Sequence, residues 1–506
     1  MSKHSAASKA HADRVATISQ TVKSFYDQKI PFRIFHGSSN STRVAARQPI
    51  IDISKLNHVI AIDATRKIAL VEPGIAMDEL VKSLLAHKLL PAVVPEFPGI
   101  TAGGAFAGTA AESSSFRYGY FDQTVSEVEM ILGNGEVVRA SPGDNSDLFF
   151  GSAGAMGTLG ITTQLEIQLI SCERFVEVTY RPVASQDEAL RHFKRVGNEV
   201  DFTDAIMFSN RHGVVVEGKL VKEGDNKSPI TRFTRARDPW YFTHVHKKIR
   251  CAPASDDYCC LTCHWTKKSR VYRQDNSTMT ELVPVEDYVF RYERGVFWMA
   301  AYGWAPNLWN RCTRFFLDPL WHTRFQYRVV HLVGGTPHII QDLAIPEQNA
   351  EGFLQYLHDD FKIYPLWLCP IKHDSRPPMH TAQTNTDPTR NLVNIGVWGS
   401  PNYGSDFLRA ETFDQFINYN RKIEEKVAEV GGLKWLYACN YYHESEFWKI
   451  YDKDEYDQLR LKWKAERLPN VWEKVKRSQQ DLKQVTLDQV LKAFLYAGLG
   501  IDRLGS

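Results

Sequence analysis

No run of about 18 consecutive apolar residues occurs in this 506-residue chain, so no transmembrane helix is expected. The opening MSKHSAASKAHADRVATISQ lacks the apolar core of a secretory signal, and secretion is not expected. Neither sign of charge is in excess: 61 basic against 59 acidic residues give a net +2, where a general nucleic-acid binder should show a basic surplus. Eight cysteines scattered over this length make no disulfide framework, and a reducing, cytoplasmic compartment fits them. There is no GxGxxG after a strand and no GxxxxGK(S/T), so a Rossmann domain and a P-loop are unsupported. Internal repeats and low-complexity tracts are also missing.

What is present is a mixture of short elements. Val15, Ile18, Val22, Phe25 and Tyr26 recur at helical spacing and predict an amphipathic helix over 12–28. Phe32 to Phe35 reads as a short strand. The run HVIAIDATRKIALVEPG reads as two strands around a polar turn, Asp63 to Lys67. A helix follows from Met77, with apolar residues at 77, 80, 81, 84 and 85. VSEVEMILGNGEVVRA predicts a hairpin in which Gly133-Asn134-Gly135 supplies the positive-φ residues. Residues 221–238 and 374–391 read as loops, and 410–430 and 478–498 as helices. The texture is α+β rather than a regular βαβ array.

Three segments, 37–41, 101–115 and 157–161, are rich in glycine and small hydroxyl residues. Glycine lets backbone N–H groups approach a phosphate because no Cβ intervenes. Serine and threonine hydroxyls can donate to the remaining phosphate oxygens. Any one such loop is more often an ordinary turn. Three in one region suggest a dinucleotide held along its length.

The segments FHGSSNS, GITAGGAFAGTAAESSSFRYGYF and GNGEVVRASPGDNSDLFFGSAGAMGTLGITT, in that order, resemble the PCMH-type FAD-binding domain of the vanillyl-alcohol-oxidase superfamily. RYERGVFW, IYPLWLCPI and LYACNYYHESEFWKIYD are further similar to the delta-24 sterol reductases, over about residues 40 to 475. The resemblance implies a two-lobed FAD-binding domain over 1–178, a substrate domain with an antiparallel sheet and helices over 179–429, and a segment 430–506 returning to the FAD domain. It implies non-covalent FAD. Gly37, Ser38, Ser39, Asn40 and Ser41 would cradle one phosphate region. Thr101, Ala102, Gly103, Gly104, Gly108, Thr109, Glu112 and Ser113 would lie along the pyrophosphate and ribityl chain. Ser114, Ser115, Tyr118 and Gly119 would approach the ring system, and Gly157, Leu159, Gly160 and Ile161 the adenosine end.

Two departures from relatives matter. Many of them link FAD to a histidine in the first loop, where Asn40 stands here, with His36 on the strand side of Gly37. Animal reductases of this type begin with a membrane anchor, which this chain is not expected to have. That leaves open either a peripheral position at the endoplasmic reticulum membrane or a soluble substrate.

The implied reaction is reduction of a sterol or isoprenoid side-chain double bond. NADPH would act as a transient reductant at the flavin face. The partner is an apolar, sterol-like small molecule; no nucleic acid is expected. Alternatives on the same scaffold are an FAD-dependent oxidase or dehydrogenase, and a lipid-binding protein without catalysis. Reduction of an isolated double bond needs a proton donor. Tyr441, Tyr442 and His443 are candidates, against the plainer reading that they pack the returning segment. No metal site is expected: Cys260-Leu-Thr-Cys263-His264 is a lone CxxCH without a second CxxC, and chance is the default. In residues 294–332, tryptophans interleaved with arginines read either as an apolar portal touching membrane or as helices packed on the FAD domain.

Overall fold

The computed structural model describes residues 3–37, 48–222, 228–249, 278–304, 309–333, 338–372, 379–380, 391–399, 410–476 and 487–498. Helix Lys3–Asp27 opens the chain, starting earlier than the apolar spacing predicts because AASKAHA contains nothing that breaks a helix. It buries Val15 and Val22 against Phe32, Ile51, Ile53 and Leu56. On its other side, His11 Nδ1 lies 2.8 Å from Glu72 and Nε2 lies 3.2 Å from Glu129.

Strand β1 (Arg33–Phe35) pairs in parallel with β2 (Ile50–Asp52). A six-stranded antiparallel sheet follows, from β3 (Val59–Asp63), β4 (Ile68–Val71), β5 (Leu89–Pro91), β6 (Val125–Ile131), β7 (Val137–Ala140) and β8 (Ile161–Ser171). Its order is β3-β4-β8-β6-β7, with β5 also on β8. The β3–β4 turn closes where Asp63 Oδ1 accepts from the N–H groups of Thr65 and Arg66. At the β6–β7 hairpin only Gly135 takes a positive φ, +88°. Gly133 is small for another reason: a Cβ there would stand 2.0 Å from the carbonyl oxygen of Lys464.

The second sheet has eight strands, all antiparallel: β9 (Phe175–Val183), β10 (Phe202–Ser209), β11 (His212–Val221), β12 (Met279–Pro284), β13 (Ile339–Pro346), β14 (Leu366–Ile371), β15 (Leu392–Gly399) and β16 (Leu433–Lys434). The order is β12-β9-β11-β10-β14-β15-β13-β16. The two-residue period of a strand sorts its side chains. Leu366 and Leu368 of β14 pack with helices Glu347–Asp360 and Ala410–Glu429 through Phe353, Leu357, Phe416 and Ile423. The alternate residues Trp367 and Cys369 join the core shared with the first sheet. The chain is thus α+β, built on antiparallel sheets and helices.

After β16 the chain returns to the first sheet. Helices Glu444–Ile450, Lys453–Lys462 and Val471–Val475 follow. Tyr456 places its hydroxyl 2.6 Å from Thr158 Oγ1, and the Arg460 guanidinium donates to the carbonyls of Thr158, Ala465 and Leu468. The last helix, Leu487–Gly498, packs instead on helix Thr323–Val333 through Val329, Ala493 and Ala497. The first part of the helix expected over 478–498, most of the 374–391 loop and the CxxCH at Cys260–His264 lie outside the described residues.

In the aromatic stretch, Trp298 and Trp321 are buried, as packing requires, whereas Phe315 and Phe316 on helix Arg311–Leu317 are 51% and 76% exposed. Arg324 reaches back to Asp78 with two bonds of 2.6 and 2.7 Å, tying this region to helix Met77–Leu85. Among the described residues, no helix is long and apolar enough to cross a membrane.

Candidate flavin site

A slot of about 250 Å³ runs between the first sheet, the second sheet and the returning segment. One end is narrow in side chains. His36, Met156, Gly157, Gly160 and Lys474 line it, and a Cβ on Gly157 would lie 3.7 Å from Lys474 Nζ. Lys474 Nζ also donates to the carbonyl of Met156. The middle is helix Ala102–Ala107, presenting Gly103, Gly104 and Gly108. The other end carries Glu96, Asp342, Asn394 and Tyr437 among aromatic rings. Phe297 stacks on Trp398 with centroids 5.2 Å apart, and Phe97 meets both edge-on.

The three glycines of the central helix serve different ends. Gly104 faces open space: a Cβ there would meet only Thr101 Oγ1, at 3.1 Å. Gly103 is held against Pro73, whose Cβ would be 2.6 Å away, and Gly108 against the Gly104 carbonyl. The helix start is internally satisfied. Ala102 N–H donates to the Ile75 carbonyl, Gly103 N–H to the Pro73 carbonyl and Gly104 N–H to Thr101 Oγ1. A phosphate must therefore look elsewhere for its donors.

The second half of that loop turns away from the slot. Ser113 donates to Glu112 over 2.7 Å, and Ser114 Oγ lies within hydrogen-bond distance of both Glu112 Oε1 and the Ala92 carbonyl. Ser115 Oγ accepts from Glu112 N–H. The Ser113 carbonyl accepts from Thr203 N–H of β10, and the Ser115 carbonyl from Lys372 N–H beyond β14. These hydroxyls join the loop to the second sheet, because a buried carboxyl must be hydrogen-bonded and the serines are the nearest donors. Gly119 (φ +74°) leaves room for Gln123, whose Oε1 would lie 1.4 Å from a Cβ there; Tyr118 packs on the core. Leu159 and Ile161 are core residues beside Gly160. Ala102 is buried, and Thr109 offers its carbonyl to the Trp435 indole over 2.7 Å. The slot thus gathers Thr101, Gly103, Gly104, Gly108, Gly157 and Gly160 of the expected contacts. Gly37 (φ +77°) adjoins it through His36, and Ser38, Ser39, Asn40 and Ser41 lie outside the described residues.

Tyr441, Tyr442 and His443 do not line the slot. Tyr441 packs edge-on against Phe416, Tyr442 lies over Lys434, and His443 is exposed at the start of helix Glu444–Ile450. The chain has already turned from β16 toward the first sheet, which carries them past the opening. Tyr437, four residues earlier, does line it and donates to Asp342. Burial pushes the Asp342 carboxyl up to about 6, held from rising further by bonds from Tyr437, Trp398 and Asn394.

Sequence reasoning missed Glu96, Asp342, Asn394, Tyr437 and Lys474. Each sits far along the chain from the glycine loops or, for Glu96, in an unremarked Pro-Glu-Phe. It also missed the buried ion pair of Arg291 with Asp204 (2.7 Å), where Tyr292 and the Trp367 indole also donate to Asp204. That pair explains the first half of RYERGVFW, and Phe297 of the same motif walls the slot.

The residues present fit FAD. Gly104 is a cradle that any side chain would fill, and Lys474 brings a cation to the glycine-lined end. Four buried polar atoms at the aromatic end, Glu96 Oε1, Asp342 Oδ1, Asn394 Oδ1 and Tyr327 OH, have no protein partner. Flat aromatic walls suit a ring system with polar edges. A family model described as an FAD binding domain matches residues 8–141.

This chain is an FAD-dependent oxidoreductase. It carries an FAD-binding domain and is similar to delta(24)-sterol reductases. The human delta(24)-sterol reductase is 26% identical over 94% of this chain and 88% of its own length. The Caenorhabditis elegans delta(24)-sterol reductase homolog is 24% identical over 93% and 88%. The delta(24)-sterol reductase of Arabidopsis thaliana is 24% identical over 89% and 80%. The likeness to these proteins therefore extends through both sheets, well beyond the FAD-binding segment.

Proposed function

We propose that this flavoprotein reduces the delta-24 side-chain double bond of a sterol or a similar isoprenoid lipid, with NADPH as transient reductant. The observation that carries the reading is the slot's polarity: glycines and Lys474 at one end, a wall of Phe97, Phe297, Trp398 and Trp435 at the other. FAD, when bound, supplies the hydride. Lys474 would hold the phosphates, and Gly104 would give way to the chain between them and the ring. The aromatic wall takes up the apolar side chain and excludes water, which strengthens every electrostatic contact inside. A lobe of residues 1–178, closed by 430–506 and capped by 179–429, accounts for a slot bordered by both sheets. The exposed Phe315 and Phe316 suit peripheral contact with a membrane that supplies the lipid.

Anaerobic rapid mixing tests this. NADPH should bleach the flavin absorbance, and a sterol with a side-chain double bond should restore it. An enzyme that NADPH leaves yellow, but that an alcohol bleaches, is the oxidase or dehydrogenase alternative.

A further inference from the structure

We propose that Glu96 is the acid that protonates the substrate double bond; this rests on the reductase reading above. Glu96 lines the aromatic end of the slot and is 9% exposed. Its Oε1 is buried with no hydrogen-bond partner. A buried carboxylate in that position would be costly, whereas a neutral acid is tolerated. Burial, and then the carboxyl of Glu112, hold Glu96 well above the usual carboxylate range. The charged and titratable groups around it act in both directions. Glu112 from the serine loop and Asp204 from β10 raise it, and Arg291 lowers it. Cys369 of β14 and Tyr437 also face it, and burial keeps both neutral.

The neighbouring acids are less suited. Tyr437 has its proton committed to Asp342 and is held well above the ordinary phenol range by burial. Asp342 accepts from the Tyr437 hydroxyl through Oδ2, and burial raises its carboxyl only to about 6, so at neutral pH it is more readily ionised than Glu96. Glu96, held higher than Asp342, keeps its proton, and its Oε1 has no hydrogen-bond partner.

The step balances as follows. The π pair of the double bond takes the Glu96 proton at its less substituted carbon, leaving a carboxylate and positive charge on the more substituted carbon. The second C–H bond would be completed by the hydride that reduced FAD, when bound, would supply, with NADPH as the source of that hydride. Glu96 regains its proton from water. The faces of Phe97, Trp398 and Phe297 stabilise the passing charge as aromatic rings stabilise any cation.

The test uses the flavin-loaded protein, reduced without air by dithionite and mixed with a sterol bearing a trisubstituted side-chain double bond in D2O. The parent should be reoxidised, with one deuterium on the less substituted carbon. Glu96→Gln, loaded with FAD and reduced by dithionite like the parent, should be reoxidised by sterol about 10²- to 10⁴-fold more slowly. Glu96→Asp should recover part of that loss. Independently of turnover, the parent's infrared spectrum should show the carbonyl stretch of a protonated buried acid that Glu96→Gln lacks. Reoxidation of Glu96→Gln at the parent rate, or an infrared spectrum of the parent without that band, overturns the proposal. A parent that the sterol does not reoxidise overturns the reductase reading itself, and the donor role with it.

Discussion

Trp435 donates its indole N–H to the carbonyl oxygen of Thr109 over 2.7 Å, and both residues are buried. The bond joins the end of the second sheet to the glycine loop of the first. Trp435→Phe keeps an aromatic ring but removes that bond. The expected cost is about 0.5–1.5 kcal/mol of stability. Because Trp435 and Gly108 line the same slot, FAD should also be released more readily. Thermal denaturation with and without added FAD measures both effects. Unchanged melting would mean that the loop is held by its other contacts.

Gly104→Val should abolish FAD retention. The new Cβ meets only Thr101 Oγ1, so the helix tolerates it and the γ carbons enter the slot. The variant should fold, with circular dichroism like the parent's, and purify colourless. A variant as yellow as the parent removes the central helix from the binding site.

Lys474→Met should weaken FAD far more than riboflavin, which has no phosphates. A charge-assisted bond contributes about 1.5–3 kcal/mol, or roughly ten- to hundredfold in affinity. Fluorescence titration of the flavin-free protein with each ligand separates the readings. Equal losses for both would make Lys474 a structural residue that merely supports the Met156 carbonyl.

The order of elements in the first 170 residues was legible because hydrophobic period and turn chemistry agree there: the Asp63 turn, the Gly135 hairpin and helix Met77–Leu85 all follow local rules. Roles within the glycine loop were less legible. Small side chains in sequence announce close approach but not the partner. Gly103 makes room for Pro73, Gly119 for Gln123 and Gly133 for Lys464, all protein atoms, whereas Gly104 faces the slot. Ser113 and Ser114, which the resemblance implies as pyrophosphate and ring contacts, spend their hydroxyls on Glu112. The acidic and aromatic end of the slot was illegible because β13, β15 and the turn after β16 deliver Asp342, Asn394 and Tyr437 from positions far apart in the chain.

The N-terminal helix should make stability fall in alkali. Burial lowers the basicity of His11, but the Glu129 and Glu72 carboxylates outweigh it and raise its pKa from 6.5 to about 9. A group whose folded pKa lies above its unfolded value stabilises fully below the unfolded value. That contribution is therefore complete below about pH 6.5 and lost as pH rises through about 9. The difference in melting temperature between parent and His11→Asn should be largest near pH 6 and shrink toward pH 9 and above. A difference that does not vary over this range would show that the histidine is not charged in the fold.

The most direct measurement is the absorbance spectrum of the purified protein after incubation with FAD and gel filtration, followed by acid precipitation. The slot predicts flavin bands in the protein fraction, perturbed by the aromatic wall, and release of the flavin to the supernatant on acidification. A protein that emerges colourless would contradict the account at its root.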